Sequence, residues 1–141
     1  MQTIYLDTCC YSRIFDVTDQ ISVINEAGRI RYIMRNGFSG KYRIIGSFAV
    51  VIEIGQNPKK ERRRIEKLYN LIKSGEVQVS PQSEARAQEL QLEGLKEMDS
   101  FHLAAAEAAH ADYLLTVDKD FLKICSRSNF AKVKVINPLN F

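Results

Sequence analysis

The chain reads as a single α/β domain with a mostly parallel sheet flanked by helices. Short β-branched or apolar runs (TIYL, RII, VQV, YLLTV, KVKVI) alternate with longer segments of helical periodicity. Such alternation builds parallel strands joined by crossover helices on both faces. No Pro-, Gly- or Ser-rich tract divides the chain, so residues 1–141 form one domain, long enough to bury a core of its own.

The elements follow in order. Thr3 to Leu6 is a short apolar run that stops at an acid, as a buried strand does, and a loop follows through SRIFDVTDQ. From Ile21 to Met34, apolar residues at Ile21, Ile24, Ile30, Ile33 and Met34 have helical spacing. Asn36-Gly37 and Ser39-Gly40 punctuate before a second strand at Arg43–Ile45. Ser47 starts a helix that runs through Ile54, and Gly55 with Asn57-Pro58 ends it. Pro58 opens a basic helix with Ile65, Leu68, Tyr69, Leu71 and Ile72 on its apolar face, stopped by Ser74-Gly75.

Val77–Val79 is a brief strand. Pro81 suits the first turn of a helix reaching about Leu92, with Gly94 as its stop. Asp99 begins an Ala-rich helix, SFHLAAAEAAHA, strong in intrinsic propensity. Tyr113–Val117 is a strand, Lys119–Cys125 a short helix and Lys132–Ile136 the last strand.

Composition removes several function classes. No apolar run is long enough to cross a bilayer, and the start MQTIYLDT lacks the charged and apolar regions of a signal peptide, so a cytoplasmic location is expected. Three cysteines (Cys9, Cys10, Cys125) argue against a disulfide framework, and adjacent Cys9 and Cys10 do not have zinc-ligand spacing. The net charge is only +3, but five of the six residues in KKERRR are basic. Lys59, Lys60, Arg62, Arg63 and Arg64 can follow a phosphate backbone, or form a solvated helix face.

Four carboxylates stand where strands or buried runs end: Asp7, Glu53, Asp99 and Asp118. In a parallel sheet the strand C-terminal ends share one edge, where ligands bind. Asp7 and Asp118 follow strands directly. Asp99 returns to that edge if its helix runs antiparallel to the next strand. Glu53 reaches it if the phase of its helix is right. Singly, each has a structural explanation as a turn residue, cap or first-turn acid. His102 is three residues after Asp99 on roughly the same face, and is assigned to helix packing rather than catalysis; His110 suits the last turn of the helix.

YLDT near the N-terminus, VVIEI in mid-chain, MDSFHLAAA and ADYLLTVDKDF together resemble the PIN domain family, in the right order over nearly the whole chain. YLDTCCYSRIFD resembles a subgroup with a cysteine pair after the first acid; the family usually has Asn where Cys9 stands. The resemblance implies a Rossmann-like fold and an acidic pocket for Mg²⁺ or Mn²⁺, with Asp7, Glu53, Asp99 and Asp118 as catalytic residues and metal ligands. Thr116 and Asp120 are then candidates to orient them. The implied activity is an endoribonuclease acting on single-stranded or structured RNA. The toxin role of a toxin–antitoxin pair, with an antitoxin partner, and a homodimer are compatible with it.

Hard cations prefer carboxylate oxygens. A held cation eases deprotonation of water and neutralises charge on the phosphate. Two other readings stay open: a catalytically weak or inactive module binding nucleic acid or protein, and a phosphotransfer enzyme with Asp7 as nucleophile. The second of these needs another Asp where Cys9 stands.

Overall fold

A computed structural model describes residues 1–127 and 129–141. In chain order the elements are β1 (Gln2–Leu6), α1 (Thr8–Arg13), α2 (Ile21–Phe38), β2 (Tyr42–Ser47), α3 (Phe48–Gly55), α4 (Lys59–Ile72), β3 (Gly75–Val77), α5 (Pro81–Leu92), α6 (Glu97–Ala108), β4 (Tyr113–Leu115), α7 (Lys119–Ser126) and β5 (Lys134–Ile136). A 3₁₀ turn at Pro138–Asn140 follows. Among the described residues the strands form one sheet in the order β3-β2-β1-β4-β5, and every pairing is parallel.

This order has its switch point between β1 and β4. From β1 the chain moves outward to β2 and β3, then returns across β1 to β4 and moves the other way to β5. Connections leave the two central strands in opposite directions, opening a crevice at their C-terminal ends. Right-handed crossovers put α2 and α4 on one face, with α5 and α6 on the other. Accordingly α1, α2 and α4 touch one another, α5 packs along α6, and α3 contacts both groups.

Burial explains the central strands. Ile4, Tyr5 and Leu6 of β1 have no exposed surface, nor do Leu114 and Leu115 of β4. Both faces are covered by helices, so these strands are continuously apolar rather than alternating. On α6, Leu103 to Ala106 are all buried, and the alanines let α6 lie close to the sheet and α5.

Local departures from the sequence expectation have physical causes. Thr8–Arg13, of which Ser12 and Arg13 were expected in a loop, forms α1 directly after β1. The α2 helix continues through Asn36-Gly37 to Phe38, because Gly37 serves packing rather than a turn: a Cβ there would meet the Ile44 side chain at 2.3 Å. Ile21, Ile24 and Leu71 have helical spacing but are 74%, 51% and 60% exposed, so the apolar faces of α2 and α4 are narrower than periodicity implied. Strand β3 pairs through Gly75, Glu76 and Val77, two residues earlier than expected, and Val79 is exposed. The α6 helix starts at Glu97, which places Asp99 inside the first turn rather than at its boundary.

Candidate active site

The four acids converge on a pocket of about 330 Å³ at the switch point, lined by Asp7, Thr8, Cys9, Ser12, Glu53, Gln56, Asn57, Asp99 and Asp118. Each arrives for a local reason. Asp7 follows the last residue of β1, and its backbone N–H donates to Leu115 O at 3.0 Å, extending the β1–β4 ladder to the crevice. Glu53 is carried by α3, whose start is fixed by Ser47 Oγ accepting from Ala49 N and Val50 N. Asp99, nearly buried, stands in the first turn of α6. Asp118 caps α7: its Oδ1 accepts from Asp120 N at 2.9 Å and Phe121 N at 3.2 Å.

Thr116, fully buried, ties two acids together. Its hydroxyl donates to Asp7 Oδ2 at 2.7 Å and accepts from Asp118 N at 3.1 Å. Asp120 contributes through its backbone; its exposed carboxylate points to Lys96 Nζ, 3.9 Å away. Cys9 Sγ lies 3.4 Å from both Asp7 Oδ2 and Thr116 Oγ1. The thiol therefore sits against Asp7 and the Thr116 hydroxyl that holds it. Cys10 is buried and bonds Leu115 O.

His102 belongs to the site as well as to the helix interface. It is fully buried, with Nε2 in contact with Glu53 Oε1, 3.3 Å from Asp7 Oδ1 and 3.4 Å from Thr8 Oγ1. Its Nδ1 lies 2.6 Å from the Tyr5 hydroxyl, which lies 2.6 Å from Ser47 Oγ. Sequence reasoning missed Tyr5 altogether and marked Ser47 only as the start of a helix. The signal for Tyr5 was available: it is two residues before Asp7, and alternation along a strand puts both on one face.

Among the described residues no Lys or Arg lines the pocket, so four carboxylates face one imidazole. Burial, then the charges of Asp7 and Asp118, push Asp99 up to about 7. Burial would raise Glu53, but the hydrogen bond and charge of His102 outweigh it and hold this carboxyl below its ordinary value. Conversely, burial would lower His102, and Asp7 and Glu53 outweigh that to raise it. Ligand atoms of Asp7, Glu53 and His102 all lie within 4.8 Å of one another. An oxygen-rich cluster with excess negative charge fits a hard divalent cation; Asp7 and Glu53 are the acids that could hold it, and Asp99 and Asp118 line the same pocket.

The basic residues of α4 behave differently from one another. Gln56 and Asn57 on the pocket rim run directly into Pro58, the N-cap of α4, so its basic first turn begins beside the pocket. Lys59, Lys60 and Arg63 are exposed. Arg64 stacks on Phe15 at 4.9 Å, while Arg62 borders a separate hollow with Glu66, Tyr69 and Glu76.

A five-stranded parallel sheet with an acid pocket at its switch point defines a class of Rossmann-like proteins. The particular family is set by comparison: the model of the PIN domain matches residues 4–126, and the chain belongs to that family. A search of curated proteins by sequence gave no significant match. Among solved structures, VapBC2 of Rickettsia felis, bound to a DNA fragment from its promoter, is similar at TM-score 0.59 and 17% identity, covering 96% of this chain and 98% of that one. VapC20 of Mycobacterium tuberculosis, a sarcin–ricin loop cleaving toxin, is similar at TM-score 0.60 and 16% identity, covering 85% and 93%. VapBC-1 of nontypeable Haemophilus influenzae gives 0.57 and 16%, covering 98% and 99%. At such identities the likeness concerns the fold.

Proposed function

We propose that this PIN-domain protein is a divalent-metal-dependent endoribonuclease that hydrolyses RNA phosphodiester bonds at the pocket of Asp7, Glu53, Asp99 and Asp118, using Mg²⁺ or Mn²⁺. The observation that carries this reading is the convergence of four acids from separate segments on one pocket, with no Lys or Arg among its described lining residues to neutralise them. Family membership supports it, since PIN domains are generally nucleases. The solved VapC and VapBC structures support a toxin role, with an antitoxin as partner.

The geometry supports a division of labour. Asp7 and Glu53, whose nearest ligand oxygens lie within 4.8 Å of each other, are the inner ligands. Asp99 and Asp118 complete the set directly or through water. A bound divalent cation supplies positive charge for the scissile phosphate and eases deprotonation of water. Thr116 restrains Asp7 and the backbone at Asp118, and Asp120 N–H holds the Asp118 carboxylate through its Oδ1, leaving Oδ2 outside the cap. Lys59, Lys60 and Arg63 are exposed and available to RNA phosphates, with Arg64 held by Phe15 beside them.

Cleavage of single-stranded RNA in Mg²⁺ or Mn²⁺, compared between the wild type, Asp7→Asn and Asp99→Asn, tests the reading. Cleavage that depends on metal and is lost in both variants is expected. Activity surviving EDTA or both substitutions would overturn it. Binding of RNA without cleavage under any condition would favour a non-catalytic binding module.

A further inference from the structure

Polar side chains, fully or half buried, form a line that the proposed chemistry does not itself require. It runs from Ser47 on β2 to Tyr5 on β1, to His102 on α6, and ends on Glu53 of α3 and Asp7. Ser47, Tyr5 and His102 have no exposed surface. A buried polar group is costly unless partnered, so a connected line of three in the core calls for an account beyond packing.

The direction of these hydrogen bonds can be derived by counting donors. Ser47 Oγ accepts from Ala49 N at 3.1 Å and Val50 N at 3.4 Å as the cap of α3. With its lone pairs so used, its proton is what remains to offer, and the Tyr5 oxygen at 2.6 Å receives it. With His102 as the neutral imidazole, the Tyr5 proton then goes to its Nδ1. An imidazole that accepts at Nδ1 carries its proton on Nε2, the nitrogen facing Glu53 and Asp7. Ionised carboxylates only accept, so a donor at that position is what both require.

We propose that His102 and Tyr5 are positioning residues that hold Asp7 and Glu53 together for metal binding. Tyr5 fixes the His102 tautomer, and the Nε2–H spans the two carboxylates. This inference rests on the metal-site reading above. The line also closes on itself, since the Ser47 that caps α3 sets the donor aimed at Glu53 further along the same helix. The helix phase that sequence reasoning could not supply is thereby tied to the cap. His102 is on this account an outer partner of the ligands and not a ligand.

The test is Mn²⁺ affinity, measured by electron paramagnetic resonance and calorimetry, alongside thermal unfolding of each variant. His102→Leu is expected to weaken Mn²⁺ binding by roughly 10- to 100-fold, the loss usual for outer partners of metal ligands. His102→Gln, whose amide can donate from near the Nε2 position, recovers most of that loss. Tyr5→Phe falls between, and adding it to His102→Leu costs no further affinity, because both act through one line.

A purely structural histidine would lower the melting temperature of His102→Leu while leaving the affinity of the folded protein unchanged; that result overturns the proposal. Nitrogen coupling in the spectrum of bound Mn²⁺ would also overturn it, by making His102 a ligand. If His102→Leu does not fold, His102→Gln and Tyr5→Phe decide the matter by the same measurement. A wild type that binds no Mn²⁺ would instead bring down the metal-site reading beneath it.

Discussion

The two ends of α6 each meet a cluster of charge, and they handle it in opposite ways. At its C-terminal end Glu107 is gripped by Arg86 through Nε at 2.7 Å and Nη2 at 3.2 Å, while Lys132 N donates to it at 2.9 Å. Arg86 also reaches Phe130 O at 2.7 Å and Glu89 at 2.9 Å. Each of these charges has a partner. At the N-terminal end Asp99 joins Asp7, Glu53 and Asp118, with His102 as the one basic side chain facing them among the described residues. The hollow beside Arg86 and Glu107 is the larger of the two, about 710 Å³ against about 330 Å³. Size is therefore a poor guide to the site here. Unbalanced charge, kept in place by buried hydrogen bonds, is the better one.

Substitutions at the two ends should separate stability from activity. Asp7→Asn and Asp99→Asn are expected to lower metal-dependent RNA cleavage at least about 100-fold, beyond the loss typical of an outer partner, with the fold intact by circular dichroism. Glu107→Ala should do the reverse. Breaking a buried pair typically costs ~3–5 kcal/mol, and the partial exposure of Arg86 reduces this to roughly 2 kcal/mol in chemical denaturation. RNA cleavage at a temperature where this variant stays folded should match the wild type. Equal losses of activity at both ends would erase the distinction.

A smaller effect concerns pH. The folded value of Asp99, about 7, lies above that of an unfolded aspartate, and burial is the first cause, followed by Asp7 and Asp118. A carboxyl raised in this way costs nothing below its unfolded value. It removes stability as pH climbs from there to the folded value, and the loss is complete above it. In EDTA, Asp99→Asn should therefore be more stable than the wild type at pH 8, and the gap should close between about pH 7 and pH 4. Each tenfold change in proton affinity on folding corresponds to about 1.4 kcal/mol. Discounted for the solvent that still reaches the group, roughly 1–2 kcal/mol remains at pH 8. Urea melts at several pH values measure it. A constant gap across that range would mean that Asp99 does not carry the charge imbalance.

How much of this was readable beforehand differs between the two kinds of information. Apart from α1, the order of elements, the parallel character and the edge on which Asp7 and Asp118 fall follow from periodicity and connectivity, and the structure agrees. The PIN resemblance drawn from YLDT, VVIEI, MDSFHLAAA and ADYLLTVDKDF is likewise matched by the family comparison. Which face a residue presents was harder. Ile21, Ile24 and Leu71 share helical spacing with buried neighbours but lie beyond the width of the contact, which only the packing partner sets. Tyr5 and Ser47 look like ordinary strand and cap residues in one dimension. Their roles exist only because β1, β2 and α6 meet, at sequence separations of 42 and 97 residues.

The smallest effect expected lies outside both clusters, on α4. Lys59, Lys60 and Arg63 are exposed and carry no ion pair among the described residues, whereas Arg64 is braced on Phe15. If they follow RNA phosphates, each contributes through counterion release rather than through a geometric contact. Lys59→Ala, Lys60→Ala and Arg63→Ala should then weaken RNA binding only a few-fold each, to similar degrees for different sequences, and each should reduce the slope of log affinity against log salt by about 0.7, the value for single strands. Binding is best measured with the Asp99→Asn protein, so that cleavage does not consume the RNA. Arg62→Ala, on the side of α4 bordering Glu66 and Tyr69, should leave the slope unchanged. An equal change for Arg62 would mean that the whole helix contributes a diffuse field. No change for any of the four would move the RNA path off α4, leaving the charge imbalance at the N-terminal end of α6 as the remaining mark of where RNA is met.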